Sequence, residues 1–242
     1  RELSLPAIGS GGGFSSEKEG TELFYSFSSF AFPRVVYRLD LKSGVSEIFK
    51  KIQATFDVNM IETEQIWYQS KDGTKIPMFL IHKKGIERNG NNPAVLYGYG
   101  GFNISITPGF LPNIIPFLER GGVYAIANIR GGGEFGKQWH EAGIKKNKQN
   151  GFDDFAAAAE WLVKEKYTQQ SKLAIYGGSN GGLLVLAIAT QRPELVKAIV
   201  SSVPVTDMAR YHLFNGGLHW IPDYGNPDDP DMFPYLLKYS PY

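Results

Sequence analysis

The segment of the chain with the clearest capacity for chemistry is a serine set between glycines. Its residues, Gly177-Gly178-Ser179-Asn180-Gly181, have the form Gly-x-Ser-x-Gly, which places a nucleophilic serine at a sharp turn between a strand and a helix. Side chains two positions before and after such a serine would collide with the neighbouring strand and helix, and glycine avoids the collision. The pattern therefore predicts that Ser179 projects its hydroxyl above a β-sheet as a nucleophile.

The sequence on either side of this serine fits such a turn. Residues 173–176 form a short apolar run typical of a buried strand, and residues 180–190 are apolar on most sides, as in a buried helix. The start of a helix also favours negative charge beside Ser179. Two interpretations stay open on these residues alone: Ser179 is a nucleophile, or it merely caps a helix that follows a glycine-rich turn.

The composition argues against several other kinds of protein. Of 242 residues, 43% are hydrophobic and 20% charged, as in an ordinary soluble globular protein. The 25 Lys and Arg nearly balance 24 Asp and Glu without forming a basic patch, so no nucleic-acid partner is expected. The chain has no cysteine, which excludes disulfides, thiolate metal sites and a cysteine nucleophile. No pair of histidines shows metal-ligand spacing with a carboxylate, and we expect neither metal nor cofactor.

The organisation of the chain changes near residue 60. Before it, residues 21–30, 34–41 and 45–49 predict short strands, with Pro33 as a break, while residues 9–13 predict a flexible glycine-rich loop. Strands at this spacing suit one blade of a propeller or a sandwich. The longest apolar run of the whole chain, residues 183–189, is too short to cross a bilayer, so no membrane association is expected.

Beyond residue 60, the pattern predicts a hairpin and then alternating strands and helices. The hairpin strands are residues 65–70 and 76–82, joined by a turn at 71–75. His82, which ends the second of these strands, is expected to lie at the surface. A helix is predicted from about Phe152, with Asp153 and Asp154 at its N-terminus, where the dipole favours anions. The alternation is typical of a parallel α/β sheet, with strands predicted at residues 94–97, 123–129, 173–176 and 198–202.

Four stretches together resemble the prolyl oligopeptidase family over nearly the whole chain. They are residues 71–78, 97–105, 128–134 and 177–183. A related peptidase that cuts after basic residues shares the general plan. The pair Ser179-Asn180, with Tyr99 and Phe102, is more similar to the proline-directed branch.

This resemblance implies an α/β-hydrolase fold preceded by part of a β-propeller. Residues 1–59 would be the end of the propeller, and residues 60–242 the N-terminal part of a hydrolase domain whose parallel, doubly wound sheet is incomplete at its C-terminus. In the family the propeller screens the active site, so that only short peptides reach it. We expect a cytoplasmic monomer whose partners are short proline-containing peptides.

The resemblance also assigns catalytic roles. Ser179 would attack the carbonyl carbon on the C-terminal side of a proline. The hydroxyl of Tyr99 and the backbone N–H of Asn180 would hold the oxyanion, and a phenol suits this task because it can point at developing charge. Tyr97, on the same segment, is interpreted as a core residue.

A proline pocket is implied near the serine. An indole face can stack on a pyrrolidine ring and apolar side chains can enclose it, whereas a lysine or arginine would need a buried carboxylate. The residues implied are Trp220, Phe102, Val205 and Tyr224.

The general base and acid of a serine hydrolase are not expected in this chain. α/β-Hydrolases place them after the serine, in the order Ser, Asp, His. In the family both lie further along than Tyr242, so His212 and His219 are not expected to serve as the base. The chain starts without Met and both of its ends look like cuts. We therefore expect a C-terminally truncated fragment that is inactive alone.

Three alternatives remain. Residues 131–136 satisfy Gly-x-Gly-x-x-Gly, which suggests a dinucleotide site. Such a site needs its acid at the end of a second strand, whereas Asp153 and Asp154 open a helix. We expect the glycines to form a loop instead, with an ion pair between Arg130 and Glu134. An esterase or a basic-residue-specific oligopeptidase on the same fold stays open, because Asp223 is close to Trp220. A catalytically inactive truncated product is the third.

Overall fold

The computed structural model describes residues 2–242 and places their strands in two sheets. The first, antiparallel throughout and in the order β1-β2-β3-β4, contains β1 (Ser10–Ser15), β2 (Glu22–Ser29), β3 (Phe32–Asp40) and β4 (Ser46–Lys51). The second, in the order β10-β9-β7-β8-β6-β5, contains β5 (Ile61–Gln69), β6 (Lys75–Lys83), β7 (Ala94–Gly98), β8 (Val123–Ala127), β9 (Leu173–Gly178) and β10 (Ala198–Ser202).

Two local predictions for the first sheet were wrong. The predicted glycine loop at 9–13 is largely strand β1, because its backbone pairs with β2, with Ser10 opposite Ser28. Gly9 lies where a side chain would enter the ring of Phe27, so small size matters there more than flexibility. Pro33 does not break β3, since pairing with β4 begins only at Val35 and the missing N–H of proline costs no bond on that side.

The second sheet confirms the predicted hairpin and the parallel strands. β5 and β6 pair antiparallel, and β6 continues antiparallel to β8, while β7 pairs parallel with both β8 and β9, and β10 with β9. The carboxyl ends of the parallel strands therefore meet at one edge, where the loops that follow them can form a site.

The helices are α1 (Ile115–Glu119), α2 (Lys137–Glu141), α3 (Lys148–Lys164), α4 (Asn180–Gln191), α5 (Ile221–Tyr224) and α6 (Phe233–Tyr239). α3 begins at Lys148, earlier than predicted. The prediction missed the first turn because that turn is polar and carries no apolar periodicity. Asp153 and Asp154 consequently lie in its second turn and do not open the helix, which corrects the expectation drawn from the helix dipole.

Each face of the second sheet carries its own core. Phe155, Leu162 and Leu184 belong to the larger cluster, which contains the buried faces of α3 and α4. The smaller cluster contains residues of α1 and also Phe30, from the turn of the first sheet, which packs edge-on against Phe79 with ring centroids 5.1 Å apart. This contact joins the two sheets; the predicted domain boundary between residues 59 and 60 stays a prediction.

A buried arginine ties the hairpin to α3. The guanidinium of Arg130, which follows β8, donates to both carboxylate oxygens of Asp154 at 2.6 and 2.9 Å and to Asp72 at 2.6 Å. Asp154 is fully buried, and Ser70 also donates to it, at 2.5 Å. The predicted ion pair between Arg130 and Glu134 was wrong, because Glu134 instead accepts from the amide of Asn128 and a backbone N–H.

We expect Arg130→Met to destabilise the protein by about 3–5 kcal/mol, because it leaves the carboxylate of Asp154 buried without a counter-charge. Arg192→Met is the matched control. Arg192 also joins two carboxylates, Glu160 and Glu194, but its side chain is 42% exposed, so its loss should change stability little. Urea unfolding of the two variants checks this, and equal effects would contradict the importance of burial.

The same arginine sets a pH dependence at Asp72. The hydrogen bond from Arg130 lowers the pKa of the Asp72 carboxyl from 3.8 to about 2. The stabilisation that the contact between Asp72 and Arg130 gives the folded state is therefore complete above pH 3.8, and it is lost as the pH falls towards about 2. In urea unfolding, Asp72→Asn should reduce stability more at about pH 6 than at about pH 2, modestly because Asp72 is half exposed. A difference independent of pH would contradict the pairing.

Candidate active site

Ser179 has the strained backbone that a nucleophile at a strand-to-helix turn requires. It lies between the end of β9 and the start of α4, with φ 55° and ψ −118°. Its N–H donates to the carbonyl of Ser202 on β10 at 2.9 Å, and its own carbonyl accepts from Leu183 at 3.1 Å. An L-residue adopts these angles only where its surroundings enforce them. The side chain is exposed.

The flanking glycines are required by close backbone approach. A Cβ on Gly177 would overlap the carbonyl of Gly181, and a Cβ on Gly181 would come within 2.5 Å of the carbonyl of Gly98 on β7. A Cβ on Gly178 would meet the carbonyl of Ser202 at an ordinary 3.8 Å. The crowding thus occurs at the two positions that the sequence pattern identifies.

Gly177→Ala should therefore destabilise the protein by at least about 2 kcal/mol, since no flexible side chain is available to move aside. Gly178→Ala, one position along the same turn, should be tolerated. Thermal unfolding of both variants measures the difference. A tolerated alanine at position 177 would show that the turn is looser than its backbone indicates.

The hydroxyl of Tyr99 lies beside that of Ser179. Burial raises the pKa of the Tyr99 phenol, and the neighbouring hydroxyl of Ser179 acts in the opposite direction. The phenol is therefore neutral near pH 7 and can donate a hydrogen bond. Tyr97, two residues earlier, packs against the second core and against the ring of Tyr176, with centroids 5.5 Å apart, as its interpretation as a core residue requires.

The buried side chain of Asn180 links the turn at Ser179 to the loop after β7. Its Nδ2 donates to the carbonyl of Tyr99 at 2.5 Å. Its Oδ1 accepts from the hydroxyl of Tyr224 and from Nζ of Lys148, each at 3.0 Å. Tyr99 and Asn180, which the family resemblance pairs as oxyanion donors, are therefore in direct contact.

The aromatic residues predicted for the pocket form one cluster. The ring of Phe102 meets that of Tyr224 edge-on, with centroids 5.4 Å apart, and Tyr224 meets Trp220 in the same manner at 6.5 Å. Trp220 also stacks on Tyr211 at 6.4 Å. Val205 is half-buried and, like Phe102 and Trp220, packs against the larger of the two core clusters. Tyr224 is almost fully buried, so Phe102 and Trp220 are the more accessible members.

Three charged or titratable residues behind this cluster were not predicted as a group. The carboxylate of Asp223 is buried, and its Oδ1 accepts from the backbone N–H of Phe102 at 3.0 Å and contacts Nε2 of His140 at 2.8 Å. Its Oδ2 lies 3.7 Å from Nζ of Lys148. Burial lowers the pKa of Lys148 to about 8, and the attraction of Asp223 opposes this. Lys148 stands in a polar stretch without periodicity, so only its position in the fold reveals it.

The glycine-rich segment at 131–136 is a loop between β8 and α2. Two of its glycines lie against neighbouring backbone: a Cβ on Gly131 would meet the carbonyl of Gly100, and one on Gly133 the carbonyl of Asn103. Gly136 has open space around it but a φ of 77°. Asp154, proposed as the acid of a dinucleotide site, is occupied by Arg130. These contacts give the glycines a structural explanation.

His82 is buried, which corrects the expectation that it lies at the surface. Its Nε2 lies 2.9 Å from the carboxylate of Glu64, and its Nδ1 faces the carbonyl of Lys83 at 3.0 Å. With Glu62, these two side chains bring possible metal-ligating atoms within 4.8 Å of one another at the edge hairpin.

Within residues 2–242, none of the helices has the length and apolar composition that crossing a bilayer requires.

A mixed sheet whose strands β7 to β10 run parallel, with a strained serine at a strand-to-helix turn, is the arrangement of an α/β-hydrolase fold. Comparison with known families is more specific. The model of the prolyl oligopeptidase family matches residues 108–242, and that of the prolyl oligopeptidase N-terminal β-propeller domain matches residues 1–52. The chain belongs to the prolyl oligopeptidase family.

Individual relatives agree with this assignment. A prolyl endopeptidase of Elizabethkingia miricola is 48% identical over 242 residues, which is all of this chain and 34% of that protein. One solved structure, from a study of two prolyl endopeptidases and their inter-domain dynamics, is 51% identical with a TM-score of 0.94, covering 100% of this chain and 36% of the other. The chain thus spans about a third of the length of these relatives.

A further solved relative was determined with substrate. Prolyl oligopeptidase B of Galerina marginata, bound to a 25mer macrocyclization substrate, is 40% identical with a TM-score of 0.92, covering 99% of this chain and 34% of the other. That structure carries an alanine in place of an aspartate, and further complexes of the same protein carry alanine in place of a histidine or a serine. These matches confirm the predicted fold, part of a β-propeller followed by an α/β sheet with helices.

Proposed function

We propose that the protein to which this chain belongs is a serine endopeptidase that cleaves short peptides on the C-terminal side of proline. The observation that carries the proposal is the strained Ser179 with the phenol of Tyr99 beside it. The names of the relatives, prolyl endopeptidase and prolyl oligopeptidase, support the choice of substrate.

In this proposal the hydroxyl of Ser179 attacks the carbonyl carbon of the proline residue, and the hydroxyl proton passes to a general base. The carbonyl carbon becomes tetrahedral and its oxygen becomes an oxyanion. The oxyanion accepts hydrogen bonds from the hydroxyl of Tyr99 and the backbone N–H of Asn180. Each such donor can be worth about 3–4 kcal/mol in the transition state. Collapse of the oxyanion breaks the C–N bond as the base returns the proton to the leaving amine. An acyl-enzyme remains on Ser179, and water then hydrolyses it.

The base that takes the proton from Ser179, and the carboxylate that orients it, would come from outside these 242 residues. The relatives are about three times as long as this chain. The Galerina complexes in which a single aspartate, histidine or serine is replaced are consistent with a triad of those three residues. The chain alone is therefore expected to be inactive.

The proline ring would be held by Phe102, Trp220, Val205 and Tyr224. A basic side chain in this place would need a free carboxylate, and Asp223 is the candidate closest in sequence. Its carboxylate already contacts His140 and lies near Lys148, so its charge is balanced from within. This balance favours proline over lysine or arginine, because an added cation would lack a free partner.

The remaining expectations belong to the same proposal. The domains would be divided between residues 59 and 60, the protein would be a cytoplasmic monomer, and its partners would be short proline-containing peptides. The match of the propeller model to residues 1–52 and the start of β5 at Ile61 support a division in this region.

The experiment uses the complete gene product and a blocked Gly-Pro fluorogenic amide. Wild type and Ser171→Ala, which alters an exposed serine, should cleave it, while Ser179→Ala should lose at least about a thousandfold in kcat/KM, since the nucleophile is gone. Cleavage that persists in Ser179→Ala would contradict the role of this serine. Cleavage of an arginine amide in place of the proline amide would favour the basic-residue branch.

A further inference from the structure

One buried amine contacts three segments that contribute to the proposed active site. Lys148, the first residue of α3, is 3% exposed. Its Nζ donates to the carbonyl of Gly100 at 3.2 Å and to Oδ1 of Asn180 at 3.0 Å, and lies 3.7 Å from the carboxylate of Asp223. These partners belong to the loop after β7, to the start of α4 and to α5.

The contact with Asn180 determines how its side-chain amide is oriented. Oδ1 receives two donors, Lys148 and the hydroxyl of Tyr224, so Nδ2 must point the other way, towards the carbonyl of Tyr99. Asn180 carries one proposed oxyanion donor on its backbone, and Tyr99 carries the other on its side chain. The amide of Asn180 therefore joins the two donors, and Lys148 holds that amide in place.

The contact with Gly100 acts on the same loop from a second point. Gly100 follows Tyr99 directly and has a φ of 62°, and Gly101 approaches Asn180 so closely that a Cβ there would lie 2.6 Å from Nδ2. A cation at this point balances the buried charge of Asp223, whereas a neutral side chain would leave that carboxylate uncompensated. Hydrogen bonding and charge together explain why an amine is buried at this cost.

We propose that Lys148 is a positioning residue, which holds the two oxyanion donors at the distance and angle that the tetrahedral intermediate requires. The inference rests on the proposed function, since the donors have meaning only if Ser179 is the nucleophile. Lys148 itself does not touch the substrate. It acts through the side chain of Asn180 and the backbone after Tyr99.

The test is Lys148→Met in the complete gene product, with the proline amide as substrate. Displaced oxyanion donors weaken binding of the transition state more than binding of the substrate. We therefore expect kcat to fall by about 10- to 100-fold, less than deleting a donor outright would cause, and KM to change by less than about threefold. A blocked peptide aldehyde ending in proline forms a tetrahedral adduct with the serine, and its inhibition constant should rise in parallel with the fall in kcat. Lys172→Met, which alters an exposed lysine, is the control.

A second variant separates positioning from charge balance. Lys148→Met/Asp223→Asn removes the carboxylate that the single variant leaves uncompensated, so it should fold even if the single variant does not. We expect its kcat to stay low and its aldehyde inhibition to stay weak, because the donor to Asn180 is still missing. Recovery of wild-type kcat would overturn the proposal, since Lys148 would then only neutralise Asp223.

Ser179→Ala in the same series distinguishes the two levels of inference. If Ser179→Ala is inactive while the Lys148 variants keep wild-type kcat and aldehyde affinity, the positioning role is overturned and the proposed function stands. If Ser179→Ala retains cleavage, both are overturned.

Discussion

Where β9 crosses into α4, backbone packs directly on backbone, and this close approach constrains the surrounding structure. Gly181 lies so near the carbonyl of Gly98 that a methyl group would not fit, and Gly177 lies as close to Gly181. The approach brings α4 onto the parallel strands and compels Ser179 into a positive φ. Its hydroxyl is thereby exposed at the edge of the sheet where the loops after β7 and β8 also emerge.

Two buried cations hold those loops relative to the helices. Arg130 connects the end of β8 and the hairpin turn to Asp154 in α3, and Lys148, at the start of the same helix, connects the loop after β7 to α4 and α5. Buried ion pairs contribute little net stability compared with apolar packing, but removing one partner is costly. Such pairs therefore specify one arrangement of the loops, as the proposed chemistry would require.

The predictions from the sequence were right where local pattern and tertiary environment agree. The turn at Ser179, the hairpin of β5 and β6 and the parallel strands follow from glycine spacing, turn residues and apolar runs, and all are present. The predictions were wrong where partners on another strand decide the outcome. The glycines of β1 form a strand because β2 supplies hydrogen bonds, and His82 is buried where Glu64, 18 residues away on β5, contacts its ring.

Residue types and their spacing over a few residues were enough to predict the α/β class of the fold and the turn at Ser179. The other candidates around this serine came from the resemblance of longer motifs to the prolyl oligopeptidase family. The connections between these candidates are visible only in the folded chain. The contact of Asn180 with Tyr99, and the balance of Asp223 by Lys148 and His140, join residues far apart in the chain. Burial of a charge depends on partners that packing brings together, and periodicity along the chain carries no record of them.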